Sequence, residues 1–123
     1  MLSDALNRIK FNPEHKRVID TFLLRIPSVV PGKMFGYPAY YINKKLFACI
    51  YENGVGLKVP EELANQLVNR EGVTCFRPLG RRKMRRWIYI NRERSEDYLK
   101  DQFIFESSVR FVSSLGAKVR VDS

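Results

Sequence analysis

Leu46-Phe47-Ala48-Cys49-Ile50-Tyr51-Glu52-Asn53-Gly54-Val55-Gly56-Leu57-Lys58-Val59 is the stretch from which the fold is read. Two apolar, β-prone runs flank Asn53-Gly54, the strongest short hairpin signal, because a type I′ turn needs positive φ at both central positions. Leu46 to Glu52 is therefore expected as one strand and Val55 to Val59 as the next. Upstream, the aromatic-rich run Met34 to Ile42 is expected as a strand bent at Gly36-Tyr37-Pro38. Asn43-Lys44-Lys45 turns the chain after it, and Pro31-Gly32 forms an earlier turn.

Helices bracket this meander. Asn12-Pro13-Glu14 supplies a capping residue, a proline for the first turn and an acid near the positive end of the dipole. Val18, Ile19, Phe22, Leu23 and Ile26 follow at helical spacing, and Pro27 ends the helix. Pro60-Glu61-Glu62-Leu63 starts a second helix with Leu63, Leu67 and Val68 inward and Gly72 as its C-terminal cap. Val73 to Phe76 and Met84 to Ile90 read as two further strands. Ser95-Glu96-Asp97 caps a last helix running to about Leu115, with Gly116 beyond it; Ile104, Ser108, Phe111, Val112 and Leu115 make its inward stripe. The expected order is α-β-β-β-α-β-β-α. Consecutive strands joined by tight turns imply an α+β fold, a two-layer sandwich of an antiparallel sheet with helices on one face.

The 123 residues suit one domain, expected to span 1–123 with its core at about 13–116. At 45% hydrophobic and 12% aromatic, the chain can bury a core and is not a disordered tail. No apolar run approaches the roughly 18 residues needed to cross a bilayer. The opening, MLSDALNRIKF, lacks the long apolar stretch of a secretory signal, so the protein is expected in the cytoplasm and not at a membrane.

Charge is the strongest functional signal. Residues 77–94 read RPLGRRKMRRWIYINRER and hold eight basic residues against one acid, Glu93, a net +7 of the chain's formal +9. Such a concentration raises a local potential that fits an anionic partner. Arginine forks bind phosphate bidentately, and Trp or Tyr faces stack on bases. Arg81, Arg82, Lys83, Arg85 and Arg86 are the candidate nucleic-acid contacts. In an extended Met84–Ile90 strand, Met84, Arg86, Ile88 and Ile90 share one side, and Arg85, Trp87 and Tyr89 the other. The competing structural reading is a solvated face whose charges pair with acids such as Glu61, Glu62 or Asp101. Neutralising about 5 phosphates implies a log–log salt slope near −4.

Met34-Phe35-Gly36-Tyr37-Pro38 is a second candidate, as a groove lined by Phe35, Tyr37, Tyr40 and Tyr41. Its structural reading makes Phe35 a core residue, Gly36 a bulge, and Pro38 the guard of an edge strand. Catalysis has little support. His15, the only histidine, is expected to be solvated beside Glu14 and Lys16. Cys49 and Cys75 lack ligand spacing for zinc and are expected as buried free thiols. The chain carries no P-loop, GxGxxG or GxSxG, and no metal or cofactor is expected.

Lys33-Met34-Phe35-Gly36, Leu46-Phe47-Ala48, Gly54-Val55-Gly56-Leu57-Lys58 and Phe76-Arg77-Pro78, in that order, resemble the amino-terminal domain of the TfoX/Sxy family, regulators of natural competence. The likeness covers roughly Val18 to Leu115; a more distant one is to the YjbR/MmcQ group, often labelled DNA-binding. The TfoX resemblance implies an α+β sandwich of the order given above and a non-enzymatic protein that acts with a transcriptional activator. Full-length members carry a second, helical domain for which these residues have no room, so the competence role does not simply transfer. The expected function is a binding module whose partner is nucleic acid or a DNA-bound regulatory protein. The alternative is a protein-interaction module or homodimer that uses the aromatic sheet face.

Overall fold

Three two-residue reversals build most of the sheet. They join β1 (Val29–Met34), β2 (Tyr37–Ile42), β3 (Lys45–Tyr51) and β4 (Gly54–Lys58) in the computed structural model, which describes residues 10–78 and 84–121, the last six without side chains. Positive φ at Phe35 (51°) and Gly36 (89°), and at Asn43 (51°) and Lys44 (66°), gives the first two turns the type I′ pattern. In the third, only Glu52 (52°) is positive, the φ pattern of a type II′ turn. The hairpin at Asn53-Gly54 thus forms, but not for the reason its sequence suggests. A Cβ on Gly54 would lie 2.6 Å from the Ile90 carbonyl oxygen and 2.6 Å from the Tyr89 ring, so glycine is required there by close approach rather than by φ.

The expected bent strand is a hairpin. Pro31 and Gly32, read as a turn, lie inside β1 and pair with Tyr40 and Ala39. This adds a fourth strand to the meander, so the order is α-β-β-β-β-α-β-β-α within the expected α+β class. It also moves the edge. Pro38 sits on an interior strand, just before the β2–β3 ladder begins at Ala39, while Pro31 occupies the true edge strand.

The rest of the chain extends the sheet and covers one face. α1 (Pro13–Leu23) starts at Asn12, whose side chain accepts from the Glu14 amide at 2.9 Å. α2 (Glu61–Leu67) leads to β5 (Val73–Cys75), and β6 (Trp87–Ile90) inserts between β4 and β5. The six strands pair antiparallel, in the order β1-β2-β3-β4-β6-β5, and an isolated parallel bridge joins Phe11 to Glu52. A 3-10 turn (Ser95–Asp101) precedes α3 (Gln102–Val121). Ser95 does not cap through its side chain; Arg94 holds the flanking position, and the helix runs through Gly116 rather than stopping before it.

Ile19, Leu23, Ile42, Phe47, Ile50, Leu57, Leu67, Ile88, Ile90, Ile104 and Val112 form the core between the sheet and the helices. Buried apolar area of this kind is the main favourable term in folding. Ser108, buried in the inward stripe of α3, is satisfied by donating to the Lys58 carbonyl. His15 is a correction: it is 3% exposed, not solvated. Its Nδ1 lies 3.1 Å from the Tyr98 hydroxyl, and the two rings meet edge to face at 5.0 Å. The capped start of α1 turns this position toward the 3-10 segment, which the sequence spacing of His15 alone does not reveal. Phe35 is a second correction: it occupies a turn position and is 54% exposed instead of entering the core.

Candidate nucleic-acid interface

The basic run does not stay together. Arg92 is taken up internally, with its Nε and Nη2 each donating to Asp101 at 2.8 Å and its Nη1 donating to the Glu71 carbonyl at 2.9 Å. The bonds to the Asp101 carboxylate hold the guanidinium pKa above its usual value. Arg94 pairs with Glu96 at 2.8 Å. Arg77 joins Tyr51, Glu52 and Tyr89 around a small cleft at the β3–β4 turn. Arg81, Arg82 and Lys83 lie outside the described residues.

Arg85 and Arg86 are both exposed, but they do not begin a strand. The Trp87 amide bonds the Met84 carbonyl at 3.1 Å, and this turn places both arginines at its centre; the sheet starts only at Trp87. The Arg86 carbonyl accepts from the Val59 amide at 2.9 Å, which ties the turn to the end of β4. Its guanidinium lies 5.9 Å over the Phe111 ring, in cation–π range. Glu61 and Glu62 line the same groove without coming within ion-pair distance of Arg86.

Two further cations join this corner that the reading of the basic run alone missed. Lys58 stands opposite Trp87 in the β4–β6 register. Burial, then Arg86 and Lys45, push its ammonium pKa below the ordinary value. Arg86 and Lys45 therefore both lie near enough to Lys58 for their charges to act on its ammonium, where the ends of β3 and β4 meet the turn before β6. Among the described residues no carboxylate forms an ion pair with Lys45, Lys58, Arg85 or Arg86. Lys58 was legible as part of Gly-Leu-Lys, but its convergence with residues almost thirty positions away is set by strand pairing.

The sheet face beside this corner is aromatic. Ala39, Cys49 and Phe76 are buried there, with Met34, Tyr41, Leu46, Tyr51, Met84, Trp87 and Tyr89 packed around them, and among the described residues no helix residue joins the cluster. Phe76 folds back from β5 onto Gly56, where a Cβ would meet its ring at 2.4 Å. It stacks on Tyr89 with centroids 5.7 Å apart and planes 5° from parallel, and it meets Trp87 at 5.7 Å. The alternation of Trp87 and Tyr89 against Ile88 and Ile90 follows the expected two-sided pattern.

The groove expected from Phe35, Tyr37, Tyr40 and Tyr41 does not form. Tyr40 enters the core and donates to Asp20, whereas Tyr41 faces the opposite side and donates to the Lys33 carbonyl at 2.6 Å. Cys49 is fully buried, and burial pushes its thiol up to about 12. Cys75 is half-buried, and both cysteines are free. No helix among the described residues is long and apolar enough to cross a membrane. No protein-family model, curated protein or solved structure matches this chain.

Proposed function

We propose that this protein is a non-enzymatic, cytoplasmic binding module that engages nucleic acid, or a regulator bound to it, through the basic corner formed by Lys45, Lys58, Arg85 and Arg86. Arg81, Arg82 and Lys83 precede this corner in sequence and belong to the same reading. The observation that carries it is the gathering around Lys58 of unneutralised cations from two strands, β3 and β4, and from the turn before β6. A solvated face would need no such convergence, and repulsion among like charges disfavours it unless an anion relieves it. The resemblance to TfoX-type regulators supports the same class of role, in which the chain would be an amino-terminal TfoX-like domain. A binding rather than catalytic role is supported by a Cys49 thiol held protonated and a His15 ring engaged with Tyr98.

Fluorescence anisotropy with labelled DNA and RNA tests this reading. Binding at low salt with a log–log slope near −4 is the expected result, for about 5 phosphates neutralised. A Lys58→Gln/Arg85→Gln/Arg86→Gln variant that binds as tightly as the parent would overturn it. The second reading, a homodimer or protein-interaction module, is favoured by an aromatic face to which no helix among the described residues contributes. Concentration-dependent mass in sedimentation, without nucleic-acid affinity, would select it.

A further inference from the structure

The proposed interface combines phosphate-binding cations with aromatic rings, and the geometry of those rings distinguishes one kind of nucleic acid from another. Lys58 and Trp87 are register partners on adjacent strands, about 5 Å apart along the hydrogen-bonding direction. Arg85 and Arg86 immediately precede Trp87 in the turn. Lys58 is thus the register neighbour of Trp87, and Arg85 is exposed in the turn before it, whereas the Arg86 guanidinium lies over Phe111 on the helix-covered side. Trp87, Tyr89 and Tyr51 are half-buried, supported beneath by Phe76, which Gly56 admits against the sheet. Rings held this way lose little freedom on binding a flat partner.

Two tyrosine hydroxyls of this face are already engaged. The Tyr89 hydroxyl donates to the Tyr51 carbonyl at 2.7 Å, and the Tyr41 hydroxyl donates to the Lys33 carbonyl at 2.6 Å. Neither proton is left to read a base edge or a sugar hydroxyl. Such a surface offers ring faces and cations, the features by which base faces and phosphates are bound with little sequence preference. In a duplex, base faces are already stacked on their neighbours; in a single strand they are accessible.

We infer that the occupant of this surface is a single-stranded polynucleotide, with bases stacked at Trp87 and phosphates on Lys58 and Arg85. The inference rests on the proposed function above and narrows it. Trp87 is the sole tryptophan, so its fluorescence reports on this position alone.

The test is a titration of the full chain with an oligothymidylate and an oligouridylate on the order of 15 nucleotides, and with a duplex of the same length. Saturable quenching of Trp87 by both single strands is expected, with the duplex roughly tenfold or more weaker. Trp87→Ala should weaken single-strand binding about five- to a hundredfold by anisotropy, while Trp87→Phe retains most of it. Lys58→Gln should lower the salt slope by about 1. Equal affinity for duplex and single strand with unchanged Trp87 fluorescence would overturn the inference and leave the phosphate-binding reading standing. Absence of binding to all three would overturn both.

Discussion

At the scale of single residues, position in the tertiary structure decides what each ionisable group does. His15 carries the most direct consequence for pH. Burial lowers its pKa from the ordinary 6.5, so the unfolded chain takes up the proton more readily than the folded one. Its contribution is fully present above about 6.5 and is lost as pH falls through that value. Denaturant unfolding at about pH 7.5 and about pH 5.5 should show lower stability at the acid end, and a smaller difference in a His15→Gln variant. Arg92, one charge of the basic run in the sequence, becomes an internal brace. Asp101→Asn removes charge-assisted bonds at a site where the carboxylate is 7% exposed, and it should cost about 2 kcal/mol in a denaturation series with little effect on nucleic-acid binding. The cysteines separate by burial. Cys49 should resist a thiol reagent in the native protein and react only after unfolding, so that the native chain consumes at most one equivalent and the denatured chain two.

Among the elements, the hairpins show how far local patterning reaches. The strand runs around Asn53-Gly54 and the capped start of α1 were legible because their signals are local: alternation, a turn dipeptide, a capping side chain. The division of residues 29–42 into two strands was not. Pro31-Gly32 and Gly36-Tyr37-Pro38 both carry turn residues, and the side of the chain on which the sheet forms selects between them. The Met84 turn is a similar case, since Arg85 and Arg86 fit an alternating strand until the Val59 amide bonds the Arg86 carbonyl. Gly56 offers a test at this scale. Gly56→Ala would press a methyl against the Phe76 ring, which Tyr89, Trp87 and Tyr51 hold in place, so the neighbour cannot easily give way. A loss of about 2 kcal/mol is expected, with a red shift of Trp87 emission as the aromatic cluster opens.

Across the whole molecule, one sheet separates two chemistries. Its helix-covered face holds the core, and its other face holds rings beside a positive corner. The salt slope near −4 is a property of this scale, because no single lysine or arginine produces it. Composition, alternation and turn chemistry were enough to determine an α+β chain with an antiparallel meander, since these depend on neighbours a few residues apart. They also determined that the protein is strongly basic. Which cations remain available was decided only by the fold. Asp101 withdraws Arg92 from the run, and strand pairing brings Lys45 and Arg86 near Lys58. The reason is physical: the energy of a charge depends on its distance to other charges in space, and a linear sequence records separation along the chain instead.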